Sequence, residues 1–139
     1  MTRNEIKMTL LKGNLVFHID CAKDLPNTDW KEWTGSNFTD PFVIGSIGNR
    51  ELFRTKHIEN CLNPVWDEKF YVAVCDKEEF LKIHIKDDDH IWDDEVGTVF
   101  IPCSEVVEGK EIQGWFDLKI DGKLQGKIKI LIQFFPGKL

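Results

Sequence analysis

The chain has no apolar run long enough to span a bilayer, and its first dozen residues lack the apolar core of a secretory signal. The expected setting is therefore the cytoplasm. Serine is scarce. The three serines, Ser36, Ser46 and Ser104, stand outside any nucleophile context, and neither an H-E-x-x-H stretch nor a phosphate-binding P-loop occurs. These gaps argue against hydrolase and phosphoryl-transfer chemistry, and no catalysis is expected. The four cysteines, Cys21, Cys61, Cys75 and Cys103, form no C-x-x-C pair and have no histidine at zinc-ligand spacing. They read as free thiols in a reducing compartment. There is no excess of positive charge either. The formal net charge is -6, which repels nucleic acid phosphates.

What is present is strand-forming material. The 139 residues include ten Phe and five Trp, with a hydrophobic fraction of 42%, enough for one domain with its own core. Apolar residues alternate with polar ones at period two. The runs are Leu15, Phe17 and Ile19; Phe70, Val72 and Val74; Leu81, Ile83 and Ile85; Val99 and Ile101; Phe116 and Leu118; and Ile128, Ile130, Ile132 and Phe134. Segments 42–47 and 51–56 bring the total to about eight strands. Gly48-Asn49 and Asp121-Gly122 read as hairpin turns. One helical turn is expected after the sixth strand, capped by Ser104 and ended by Gly109. The predicted fold is all-β: an eight-stranded antiparallel β-sandwich over residues 13–135, with tails at 1–12 and 136–139.

Three connections exceed a tight turn: 23–39, 57–64 and 87–95. Long loops on a compact sandwich are where function concentrates. The third holds five aspartates and a glutamate in nine residues, with Ile91 and Trp92 between them. Crowded carboxylates repel one another, and a hard dication such as calcium is the usual reason to keep them; a solvated acidic loop is the simpler account. An EF-hand does not fit, because counting from Asp87 puts Trp92 where that loop needs glycine and Thr98 where it needs glutamate. The remaining ligands must then come from another loop, and the first supplies Asp24, Asp29 and Asp40. Side chains alternate along a strand, so Asp87 and Asp89 face one way, and the return of the loop brings Asp93 or Asp94 to the same point.

Several stretches together resemble the C2 domain family. They are Leu25-Pro26-Asn27-Thr28-Asp29, Thr39-Asp40-Pro41-Phe42-Val43, Asn63-Pro64-Val65-Trp66-Asp67-Glu68-Lys69-Phe70, and Asp87-x-Asp89 leading to Gly97. Opening on Gly13-Asn14-Leu15 and closing on Gly126-Lys127-Ile128 resembles the permuted topology of plant phospholipase D and cytosolic phospholipase C2 domains. The resemblance implies a C2-like Greek key whose loops hold two or three calcium ions. It implies Asp29, Asp40, Asn60, Asp87, Asp89 and Asp94 as metal ligands, with the carbonyl of Asp88 pointing inward. The stretch between Asp29 and Asp40 is longer than is common, so Asn37 or Asp24 is an alternative to Asp29, and Asp93 competes with Asp94.

The implied function is calcium-dependent docking on phospholipid membrane, with Trp30, Ile91 and Trp92 meeting the lipid. A calcium-independent protein-interaction module is the alternative. A monomer is expected, with no nucleic acid partner. Trp66 and Trp115 are expected in the core, whereas Trp33 and Phe38 in the first loop are open to either role. Arg54, Lys56, Lys69, Lys82 and Lys86 are candidates for a basic patch, for which a solvated sheet face is the simpler account.

Overall fold

The computed structural model describes residues 7–27, 39–88 and 94–137, with Asp94 described in its backbone only. Eight strands follow in order: β1 Thr9–Lys23, β2 Pro41–Ile47, β3 Arg50–Arg54, β4 Val65–Glu78, β5 Phe80–Asp87, β6 Asp94–Pro102, β7 Ile112–Ile120 and β8 Lys123–Pro136. They form one antiparallel ladder in the order β3-β2-β5-β6-β7-β8-β1-β4. In its middle, β6 and β7 share a single pair, Thr98 with Lys119. The ladder folds over at this weak seam into two four-stranded layers. Phe53 of β3 packs across the gap on Phe17 of β1 and Phe70 of β4, with ring centroids 4.8 Å and 4.6 Å apart. This is the expected sandwich.

Period-two alternation explains the core. Leu11, Leu15, Phe17 and Ile19 of β1, Leu81, Ile83 and Ile85 of β5, and Ile128, Ile130 and Ile132 of β8 are all buried. Neighbouring strands adapt to one another. A Cβ at Gly45 would lie 2.0 Å from the ring of Phe53, its register partner on β3, so glycine there makes room for that ring to lie over β2 and reach the other layer. A bulge follows Ile19, where the pairing of β1 with β8 slips by one residue. Beyond it the inward phase shifts to Ala22 and Leu25, and Lys23 turns out to solvent.

Four expectations need correction. β1 begins at Thr9, so residues 9–12 of the expected tail pair with Cys75–Glu78. The helical turn is a short 3₁₀ segment, Cys103–Glu105, entered from Pro102 with no side-chain cap. Ser104 lies inside it, because the cap position is taken by Pro102, whose side chain has no oxygen to accept a hydrogen bond. Trp66 is buried as expected, but Trp115 is 43% exposed. Phe116 and Leu118 take the inward positions of β7, and alternation sends Trp115 outward beneath the Lys23 ammonium, 4.3 Å from the ring centroid. Lys69 sits on β4, in the other layer from Arg54, Lys82 and Lys86, and so cannot share a face with them.

Candidate functional site

Strand direction alternates through the whole ladder, so the β1–β2, β3–β4 and β5–β6 connections all leave from one end. The three long loops of the sequence are those connections. Their described parts are tied together by backbone hydrogen bonds. The first loop leans on the second, through Ala22 N–H to the Pro64 carbonyl (3.0 Å) and Leu25 N–H to the Leu62 carbonyl (3.1 Å). The Asp24 amide donates to Asn63 Oδ1 at 3.0 Å, and Asp24 takes a left-handed backbone (φ 57) that suits aspartate at a turn. Thr39, fully buried, donates its hydroxyl to the Pro26 carbonyl at 2.9 Å and so clamps the two stems of the first loop.

Asp40 is where the loops meet. Its amide donates to Asp87 Oδ1 at 2.9 Å, and its carbonyl accepts from the Asp88 amide at 2.9 Å, which joins the first loop to the third. Its own Oδ1 accepts from the Asn60 amide at 2.6 Å, which joins it to the second. Asn60 reaches that geometry in a left-handed conformation (φ 50), which asparagine tolerates better than most residues. The next residue, Pro41, has no amide to give, but its carbonyl accepts from Ile58 N–H and from the indole N–H of the buried Trp66. This explains the N-P-x-W element physically: the tryptophan pins the strand that carries Asp40.

Asp87 is only 4% exposed, at the last position of β5. A carboxylate buried this far needs polar company, and the Asp40 amide supplies part of it. Asp88 points elsewhere. Its side chain is 43% exposed and contacts His57 Nδ1 at 2.9 Å. That contact links the second and third loops and was not legible in the sequence, where the histidines are scattered. A surface recess beside it is lined by Phe42, Arg54, Thr55, Lys56, His57 and Asp88. Arg54 is engaged there, bidentate to Glu51 and 5.2 Å from the Phe42 ring centroid.

The structure thus brings Asp40, Asp87, Asp88 and the Asn60 backbone together. Asp29, Asp89, Trp30, Ile91 and Trp92, with the alternatives Asn37 and Asp93, lie outside the described residues, as does the side chain of Asp94. Among the described residues, no three His, Cys, Asp or Glu side chains are grouped closely enough to hold a metal ion. The described carboxylates are hard oxygen donors, of the type that suits calcium and not zinc or copper. Among them, too, no helix is long and apolar enough to cross a membrane.

Residues 13–118 match the family model of the C2 domain. The chain is 30% identical over 131 residues to phospholipase D beta 2 of Arabidopsis thaliana, a match that covers 82% of this chain but 14% of that protein. Among solved structures, the calcium-bound tandem C2 domains of extended synaptotagmin 2 superpose with a TM-score of 0.75 at 28% identity, covering 89% of this chain and 46% of that one. Human GIVD cytosolic phospholipase A2 shares the fold, with a TM-score of 0.71 at 22% identity over 96% of this chain and 17% of its own. With the sandwich, the N-P-x-W pin and the three loops gathered at Asp40, these matches lead to one conclusion: the chain belongs to the C2 domain family.

Proposed function

We propose that this chain is a membrane-docking module that takes up two or three calcium ions at its acidic loop end and then seats apolar loop residues in phospholipid. The observation that carries this reading is the place of Asp40. One residue bonds both other loops while its carboxylate stands one hydrogen bond from Asn60 and its amide one from the buried Asp87. A cation held by Asp40 and Asp87 would tie the three loops into one surface, with Asp29, Asp89, Asp94, Asn60 and the Asp88 carbonyl completing its oxygen shell. The solved extended synaptotagmin 2 domains are described as calcium bound, which supports the same choice of metal. The chain spans 14% of phospholipase D beta 2, so the lipase activity of that enzyme is no part of the proposal.

Each calcium ion brings two positive charges to an end that is crowded with carboxylates. With that charge offset, an apolar tip formed by Ile91 and Trp92, helped by Trp30, can enter the headgroup region, where an indole ring is at home. Burying a tryptophan with an isoleucine contributes about 3–5 kcal/mol at roughly 25 cal/mol per Å². Docking of this kind resists salt better than charge attraction alone. The test is co-sedimentation with phosphatidylcholine vesicles and with mixed phosphatidylcholine–phosphatidylserine vesicles, in calcium and in chelator. We expect binding in calcium only, to both vesicle types, with Trp92→Ala weaker on both. Binding that ignores chelator overturns the calcium requirement. If Trp92→Ala binds as the wild type does, tip insertion is not the mechanism.

A further inference from the structure

The alternation of strand direction that gathers the three long loops also brings a fourth connection to their end. β7 runs with β1, β3 and β5, so the tight turn from β7 to β8 at Asp121-Gly122 stands at the same end as Asp40. Its nearness is direct: a Cβ at Gly126 would lie 2.9 Å from the carbonyl oxygens of both Lys23 and Asp24, where the first loop begins. Asp121 and Gly122 both have positive φ (48 and 76), the geometry of a two-residue hairpin that projects its flanking residues.

Those flanking residues are of a different kind from the acidic loops. Lys119, Lys123 and Leu124 are exposed, Leu124 at 60%. A register slip after Asp117 sets Lys119 opposite Leu124 and Ile120 opposite Lys123, so cationic and apolar side chains share the tip. Behind Lys119 and Leu124, on their face of the hairpin, lies Trp115 with the Lys23 ammonium above its ring, while Lys123, paired with Ile120, belongs to the other face of the tip. The lysines nearer the middle of the strands are already matched: Lys127 with Asp117 at 3.8 Å and Lys129 with Asp20 at 3.6 Å. Among the described residues, Lys119, Lys123 and Lys23 have no carboxylate within ion-pair reach. At the tip itself Lys119 and Lys123 flank a single carboxylate, Asp121. Ammonium groups, an exposed leucine and an amphipathic indole at one end of a sandwich match the chemistry of an anionic bilayer surface.

We infer that the β7–β8 hairpin is a fourth membrane contact, in which Lys119 and Lys123 meet acidic phospholipid headgroups and Leu124 rests in the interface. This rests on the reading that the loop end faces the membrane. It adds a lipid preference that the calcium loops do not need: calcium and the apolar tip drive docking to neutral lipid, and the hairpin adds affinity for acidic lipid. Each lysine near an anionic surface is worth about fivefold in binding.

The test compares three proteins on phosphatidylcholine vesicles with and without phosphatidylserine, in calcium and in chelator. They are the wild type, the hairpin pair Lys119→Gln/Lys123→Gln, and a charge-matched control, Lys77→Gln/Lys110→Gln, at the opposite end. Far-UV circular dichroism and melting temperature verify that all three fold alike. We expect the hairpin pair to bind phosphatidylserine vesicles in calcium on the order of 25-fold more weakly than the wild type, to bind pure phosphatidylcholine unchanged, and the control to stay within about twofold. Leu124→Ser is expected to weaken binding to both vesicle types. If the hairpin pair binds acidic vesicles as the control does while the wild type still docks in calcium, the hairpin contact is overturned and the loop reading stands. If the wild type binds acidic vesicles equally in chelator and the hairpin pair does not, the contact holds and the calcium requirement fails. If the wild type binds neither vesicle type, both readings fall together.

Discussion

At the scale of single residues, the most informative side chain outside the loops is His84. It is 9% exposed on β5, and its Nδ1 lies 3.2 Å from Glu95 Oε1, which also accepts from the Thr98 hydroxyl at 3.1 Å. Burial pushes the imidazole below its ordinary range, against the upward pull of Glu95, while Lys82 and Lys86 on the same strand push it further down. Burial also pushes the Glu95 carboxyl up, but its bonds to His84 and Thr98 outweigh this and leave it lowered. Glu51 on β3 is the other carboxylate that feels the imidazole. The sign follows. A histidine whose folded pKa is depressed binds its proton more weakly in the fold than in the unfolded chain. Stability is unaffected well above pH about 6.5 and is lost as pH falls below it, toward the folded pKa. We therefore expect the melting temperature to drop between about pH 7 and about pH 5, and to drop less in His84→Gln. Parallel pH profiles for the two proteins would show that His84 is not the source.

At the scale of elements, the site is a matter of loop stems. Asp40 stands at the foot of β2 and Asp87 at the head of β5, and these strands pair in register from Pro41 with Asp87 to Ile47 with Leu81. The carboxylates are therefore carried by adjoining strands and need little from the loop tips to hold their place. Asp40→Asn and Asp87→Asn are each expected to weaken calcium-dependent vesicle binding by tenfold or more, about 1.4 kcal/mol. Glu108→Gln, exposed near the opposite end, should leave it unchanged. Binding isotherms in calcium decide this. Equal loss in all three, or in none, would mean that the ion sits elsewhere. Thermal stability in chelator, measured on the same proteins, separates a ligand role from damage to the Asp40 hydrogen-bond junction.

At the scale of the whole molecule, a net charge of -6 is spread unevenly. Aspartates crowd the loop end, while the sheet faces hold matched pairs such as Arg50 with Asp76 at 2.7 Å. Carboxylates held close by the fold repel one another without a cation, so a cation that binds only the folded state stabilises the whole domain. A ligand that binds only the fold contributes about 2.7 kcal/mol at a hundredfold excess over its dissociation constant, and this is the effect expected of calcium. Melting curves in calcium and in chelator should differ by several degrees, and a calorimetric titration should give at least two ions per chain. Superimposable melts with no heat of binding would remove calcium from the account.

How much of this was legible in the sequence follows from which forces are local. Alternation at period two is a property of the chain, so the strands, the core face of β1, β5 and β8, and the turns at Gly48-Asn49 and Asp121-Gly122 could be read directly. The density of carboxylates in 87–95 is likewise in the sequence, and so is the N-P-x-W element that pins Asp40. Long-range pairing decided the rest. Alternation with Phe116 and Leu118 already turns Trp115 outward, but only the bulge after Ile19 brings Lys23 over its ring. Only the approach of the second loop to the end of β5 puts His57 on Asp88. The sequence by itself determined the alternating strands and the acidic, calcium-like donor chemistry, because each depends on near neighbours. Tertiary structure alone decided that Asp40 joins three loops and that the β7–β8 hairpin shares their end, because strand order and direction are set by contacts between residues far apart in the chain.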